Sequence, residues 1–167
     1  YYHEVNVGGA KIVLDAAVAA GVKRFIYCST CGVHGNVKNP PANEDAPIAA
    51  ADYYQQTKYE AEPLVHDYQQ QGLKTVIVRP AAIYGPGDPE RFGMIFRRVA
   101  KGNFPIFGSG KAFYHPLYID NFVDALERVT HEGVGDGQTY LIADEEYVSI
   151  EDLVGRVSSA MDRPVRT

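Results

Sequence analysis

At 167 residues, with 46% hydrophobic and 22% charged residues and a formal net charge of −5, the chain is about one domain long and of ordinary globular composition. The acidic balance argues against nucleic acid or an anionic membrane surface as partner, and no apolar run reaches the length of a membrane span. With no leader of basic start and apolar middle, a cytoplasmic location is expected.

The chain opens YYHEVNVGGAK, without a methionine and already on a helical pattern, which reads as the middle of a protein. From Glu4 to Ala20, Val7, Ala10, Val13, Leu14, Ala17 and Val18 recur at helical spacing, and Gly21 supplies a stop. Arg24 to Ser29 is a short apolar run suited to a strand buried on both faces. Thr30 to Pro47, rich in Gly, Asn and Pro, reads as a long loop. Asp52 with Gln55 resembles a capping box that starts a helix at Tyr53 and carries it to Gly72, with Pro63 expected to kink it or disturb the hydrogen bond to the carbonyl of Tyr59. A second buried strand, Lys74 to Arg79, follows at once, so strand, helix and strand imply a parallel sheet with right-handed crossovers.

Pro80 to Glu90 is a turn-rich loop at a strand's carboxyl end, where open α/β sheets bind ligands. Beyond it a helix is expected over Arg91 to Ala100, extended segments at Pro105 to Phe107 and Ala112 to Ile119, and a helix from Asp120 to about Thr130. A strand over Gln138 to Ala143 and a helix over Ile150 to Met161, the latter capped by Ser149 with Asp152, complete the pattern. GSGK at 108 to 111 fails as a phosphate loop, since Pro105 and Ala112 replace the glycine and the hydroxyl that the pattern requires.

Chemistry concentrates in ADYYQQTKYEAE, where Tyr54 and Lys58 stand four residues apart and so share a helix face. A tyrosine of pKa about 10 is a poor base near neutrality, and a neighbouring cation favours its phenolate. A packed ring beside a solvated charge is the plain alternative. Cys28 and Cys31 form a C-x-x-C beside a strand, which without a second ligand pair is a weak metal motif; no metal site is expected.

Read together and in order, CSTCGVHG, YQQTK and RPAAIYGPGD resemble the motifs of the extended short-chain dehydrogenase/reductase family, the NAD-dependent epimerase/dehydratases. NVGGAKIVLDAA and FYHPLYIDNFVDAL resemble two further stretches of that family. The resemblance implies an α/β fold: part of a Rossmann-type parallel sheet with flanking helices, plus a small carboxyl-terminal substrate-binding region. Residues 1–80 would belong to the cofactor-binding domain and 81–167 mainly to the substrate region, with a strand near 138–143 returning to the sheet. It further implies that Tyr54 is the acid/base, that Lys58 lowers the phenol's pKa and holds the nicotinamide ribose, and that Thr30 orients the substrate oxygen. A hydroxyl capping a turn is the lesser alternative for Thr30, and Ser29 competes for its role.

On the same footing Tyr54, Lys58, Ser29, Pro80, Ala81 and Ile83 would meet the cofactor, NAD or NADP with NAD favoured, while Cys31, His34, Tyr84, Tyr114 and His115 would face a small-molecule substrate. Asn6 would support the site, and the helices around 4–20 and 53–71 would form a homodimer contact. His34 stands where the family has a tyrosine, Ala82 where many sugar-nucleotide epimerases have an asparagine, and Tyr114-His115 where many have Arg-Asp. The missing arginine removes a forked phosphate donor and keeps a steroid- or dihydroflavonol-type carbonyl reductase as the alternative to a nucleotide-sugar epimerase/dehydratase. No G-x-x-G-x-x-G follows a first strand, so the chain reads as the carboxyl-terminal portion of a longer enzyme, with a catalytically silent fragment as the remaining reading.

Overall fold

Three apolar strands make the sheet on which the first half of the chain is built: β1 (Arg24–Cys28), β2 (Lys74–Pro80) and β6 (Thr139–Ile142). They lie in the order β1-β2-β6, all parallel, with Ile26 opposite Val76 and Val78 opposite Tyr140. The structure, a computed structural model, describes residues 1–88, 90, 92–106 and 108–166. Its residues divide into two units, Tyr1–Ala81 with Val123–Ile142, and Ala82–Phe122 with Ala143–Thr167.

In the first unit β2 is central and its residues from Thr75 to Pro80 are buried, as an uninterrupted Val/Ile run requires. β1 differs from the expected strand buried on both faces: Arg24, Phe25 and Ile26 are only half-buried and Cys28 is exposed. The reason is position, since β1 is an outer strand and, among the described residues, pairs with β2 alone.

The first helix begins as a π-helical turn, Glu4–Gly8, and continues as α1 (Gly9–Ala19). Leu14 and Ala17 face inward and Gly21 ends it at φ +66°, a left-handed conformation that costs glycine nothing. The helix expected from Tyr53 to Gly72 is divided into α2 (Tyr53–Glu60) and α3 (Glu62–Gln70). Pro63 has no N–H for the carbonyl of Tyr59, and the amide of Ala61 bonds that carbonyl instead. Asp52 caps α2 by accepting from the amide of Gln55 at 2.8 Å, but the Gln55 side chain accepts from the amide of Ala51, one residue earlier than a capping box would place it. Leu14, Ala17, Tyr27, Ala61, Val65, Leu73 and Ile77 form the core of this unit. α5 (Ile119–Thr130) leads into it, with Asp120 inside the first turn rather than before it.

Among its described residues the second unit holds two small ladders. β3 (Ala82–Tyr84) pairs in parallel with β5 (Pro116–Tyr118), and β4 (Phe113–Tyr114) pairs antiparallel with β7 (Val148–Ser149). Its core joins Phe92 and Val99 of α4 (Phe92–Ala100) to Val148 and to Leu153, Val154 and Val157 of α6 (Ile150–Ala160). Ser149 caps α6 by accepting from the amide of Asp152 at 3.0 Å. Pro105 and Ile106 are irregular rather than extended, and Pro89, Arg91 and Phe107 lie outside the described residues.

Candidate active site

The strand end after β1 runs directly into a 3₁₀ turn, Cys31–His34, and the cap of that turn is Thr30. Its Oγ1 accepts from the amide of Gly32 at 3.1 Å. This is the turn-capping role weighed from the sequence, and it leaves the hydroxyl proton and a lone pair for a further partner. Gly35 at φ +61° ends the turn where any Cβ would collide with the carbonyl oxygen of Ala49, so the loop can close only over glycine.

Ser29, by contrast, is turned inward. Its hydroxyl donates to Glu62 Oε1 at 2.6 Å, which separates its side chain from the role that Thr30 could take. Glu62 also accepts two bonds from Arg79, Nε to Oε1 at 3.0 Å and Nη2 to Oε2 at 2.6 Å. Arg79 Nη1 donates to His34 Nε2 at 3.0 Å and to the carbonyl of Glu44 at 3.2 Å. Because a guanidinium only donates, His34 Nε2 must accept, and Nδ1 then carries the proton toward the carbonyl of Ala46 at 2.9 Å. Both ring nitrogens of His34 are therefore engaged inside the fold.

At the start of α2 Tyr54 is 42% exposed, with its ring edge-on to Tyr2. Its backbone is held from below: Asn6 in the π-helical turn donates to the buried Thr57 hydroxyl at 3.0 Å, which donates to the carbonyl of Tyr54 at 3.0 Å. One turn on, Lys58 lays its ammonium 4.5 Å from the centre of the Tyr27 ring, whose hydroxyl donates to the carbonyl of Lys58 at 3.3 Å. Burial lowers the ammonium's pKa, against the opposing pull of Cys28 and Glu62. Among the described residues nothing accepts a hydrogen bond from Lys58 Nζ, so its donors are open to a ligand oxygen. Cys28 and Cys31 form no disulfide among the described residues, and desolvation of its sulfur pushes the Cys28 thiol up against the pull of Lys58. Among the described residues no group of three His, Cys, Asp or Glu is arranged to hold a metal.

Tyr27 is pushed well above the ordinary phenol value by burial first, then by Glu62, Cys28 and Tyr54. The native chain thus keeps a proton that an unfolded chain releases near pH 10, so the stability it contributes is whole below that pH and lost as pH rises through the folded value. An alkaline titration of phenolate absorbance is expected to end on a late component that Tyr27→Phe removes; an unchanged late limb would refute the assignment.

Pro80 and Ala81 end β2, with the amide of Ala81 donating to the carbonyl of Ile142 at 2.8 Å. The remaining sequence-derived positions, Ile83, Tyr84, Tyr114 and His115, belong to the second unit. There Tyr84 stacks on Phe92 at 4.6 Å and meets Tyr118 at 5.4 Å, while Tyr114 meets Phe92 at 5.6 Å. Burial raises the Tyr84 phenol, with Asp144 and Tyr118 adding to it. His115 is engaged, its Nε2 donating to the carbonyl of Asp144 at 2.6 Å. Sequence reasoning missed Glu62 and Tyr27. The available signal for Glu62 was a carboxylate four residues after Lys58, at helical spacing from it.

The model of a family described as NAD dependent epimerase/dehydratase matches residues 1–143. The chain is 34% identical over 168 residues to a UDP-glucose 4-epimerase of Vibrio cholerae, covering 98% of this chain and 51% of that protein. It is 33% identical over 182 residues to 3beta-hydroxysteroid-dehydrogenase/decarboxylase isoform 1 of Arabidopsis thaliana, covering 97% and 40% respectively. Among solved structures, a UDP-glucose 4-epimerase with UDP-glucose from Thermotoga maritima superposes with a TM-score of 0.87 at 26% identity, covering 99% of this chain and 57% of that one. The chain spans about half the length, or less, of these curated relatives.

Proposed function

The chain belongs to the NAD-dependent epimerase/dehydratase family, and on that premise we propose that it carries the proton-transfer half of an NAD(P)-dependent oxidoreductase acting on a hydroxyl or carbonyl of a nucleotide sugar. The observation that carries the reading is Lys58: a half-buried ammonium over an aromatic ring, with no acceptor among the described residues, one helical turn from an exposed phenol. Tyr54 takes the proton of a substrate hydroxyl, or returns it to a carbonyl oxygen, and Lys58 stabilises the phenolate. The Thr30 hydroxyl, held by its bond to Gly32, donates to the same substrate oxygen. Hydride chemistry at the adjoining carbon would be supplied by a bound nicotinamide. Lys58 and Tyr54 fit its ribose hydroxyls as donors. A pyrophosphate cradle is not among the motifs of this sequence.

A second reading, a carbonyl reductase for a steroid-like substrate, is favoured by the aromatic cluster of Tyr84, Phe92, Tyr114 and Tyr118 in the second unit, where no arginine takes the place of Tyr114. It is supported also by the match to the Arabidopsis hydroxysteroid dehydrogenase. More than half of Ile12, Val13 and Val18 on α1 and of Tyr53 on α2 is exposed, which supports a homodimer through those helices. Among the described residues no helix is long and apolar enough to cross a membrane.

Cofactor fluorescence tests the proposal. The full-length protein incubated with UDP-glucose and catalytic NAD is expected to give a changed sugar without net cofactor reduction. Stoichiometric cofactor turnover with a 3-oxosteroid instead would establish the second reading. Titration of the 167-residue chain with NADH and NADPH decides whether this chain alone binds the cofactor, and micromolar binding would rule out a silent fragment.

A further inference from the structure

Glu62 lies outside every motif that carried the resemblance, and yet it is the point where the parts of the candidate site are joined. It is the first residue of α3, one helical turn beyond Lys58, and its carboxylate holds three hydrogen bonds at once. One comes from Ser29, the residue before Thr30, and two come from Arg79 near the carboxyl end of β2. Arg79 in turn holds His34 and the carbonyl of Glu44, which fixes the loop that follows Thr30. Glu62, Ser29, His34 and Arg79 are 2–6% exposed, so the bonds form away from bulk water, where geometry is strongly enforced.

We propose that Glu62 is a positioning residue: by fastening the strand end that carries Thr30 to the start of α3, which directly follows the Lys58-bearing α2, it sets where the Thr30 hydroxyl and the Lys58 ammonium stand toward a substrate. This rests on the catalytic reading of Thr30, Tyr54 and Lys58. The bond arithmetic supports the role. Glu62 neutralises Arg79 through a bidentate pair and still offers a lone pair to the Ser29 hydroxyl, so the same carboxylate closes one charge and ties two elements. Among the described residues the titratable groups that act on the Lys58 ammonium are Cys28 on β1, whose thiol is neutral near neutrality, and the Glu62 carboxylate on α3, with the Tyr27 ring beneath. Removing the Glu62 charge therefore acts on Lys58 without touching it.

Two variants of the 167-residue chain test the proposal. Lysine side chains are labelled by reductive ¹³C-methylation and titrated by NMR, with Lys58→Arg identifying the signal. Glu62→Gln, which keeps the side chain's shape, is expected to move the Lys58 midpoint downward from the wild-type value, since Glu62 holds it up. Ser29→Ala, which keeps the Glu62–Arg79 pair, is expected to speed hydrogen exchange at the amide of Gly32, the one bonded to Thr30 Oγ1, by about tenfold while leaving the Lys58 midpoint in place.

A cooperatively folded Glu62→Gln with an unmoved Lys58 midpoint overturns the proposal. An unchanged Gly32 exchange rate in Ser29→Ala overturns it as well, and decides the matter should Glu62→Gln fail to fold. Both readouts are independent of turnover, so a finding that Tyr54 is dispensable would remove the catalytic reading and leave the Glu62 coupling measurable on its own.

Discussion

Tyr54→Phe in the full-length enzyme is expected to lower kcat by about 10²- to 10⁴-fold, the range that a positioned acid/base contributes. The substitution removes one oxygen and keeps the ring, so the edge-on contact with Tyr2 survives. Tyr54 is also absent from the apolar core of its unit, and its helix is held by the Asn6–Thr57 chain through the Tyr54 carbonyl, which phenylalanine retains. Stability should therefore change by no more than about 0.5 kcal/mol. Parallel measurement of kcat, cofactor affinity and thermal midpoint separates the outcomes. A variant that turns over within tenfold of the wild type would end the assignment of Tyr54, whereas lost activity with a collapsed midpoint would point to damage elsewhere.

The largest effect on stability is expected from Arg79→Met. Glu62 would then be a buried carboxylate without its cation, and His34 Nε2 and the carbonyl of Glu44 would each lose a donor. Breaking one side of a buried pair costs about 3–5 kcal/mol, because the partner's desolvation is no longer offset. At roughly 2–4 °C per kcal/mol for a chain of this size, the thermal midpoint should fall by about 10 °C. Replacing both partners, Arg79→Met with Glu62→Leu, should recover much of the loss, since a buried pair contributes little more than apolar residues of similar volume. Additive single losses in that double variant would refute the pairing argument.

How much of this was legible beforehand follows from which interactions are local. Helix caps, stops and the parallel strands were readable because Asp52, Ser149, Gly21 and the Val/Ile run of β2 act through neighbours in sequence. Helix spacing, which is also local, puts Tyr54 and Lys58 one turn apart, and both lie on α2. Pro63 was read as a disturbance, and it is, though the outcome is two helices rather than one kinked helix. What escaped was the pairing of Ser29, Glu62 and Arg79, residues 17 and 33 positions apart along the chain. No period in a sequence reports such contacts. The half-exposed β1 escaped for a related reason: an apolar run predicts a strand but is silent about its place in the sheet order.

That place matters for the site. Thr30 hangs two residues beyond the end of β1, and β1 is tied to the sheet on one side only among the described residues. A strand held along one edge opens more readily than one held along both, so its amides fray at a lower free energy than those of β2. The precision with which a hydroxyl can be presented at the tip of such a strand is bounded by that fraying. Whatever polypeptide laid a further ladder of hydrogen bonds along the free edge of β1 would stiffen Thr30 without ever touching it.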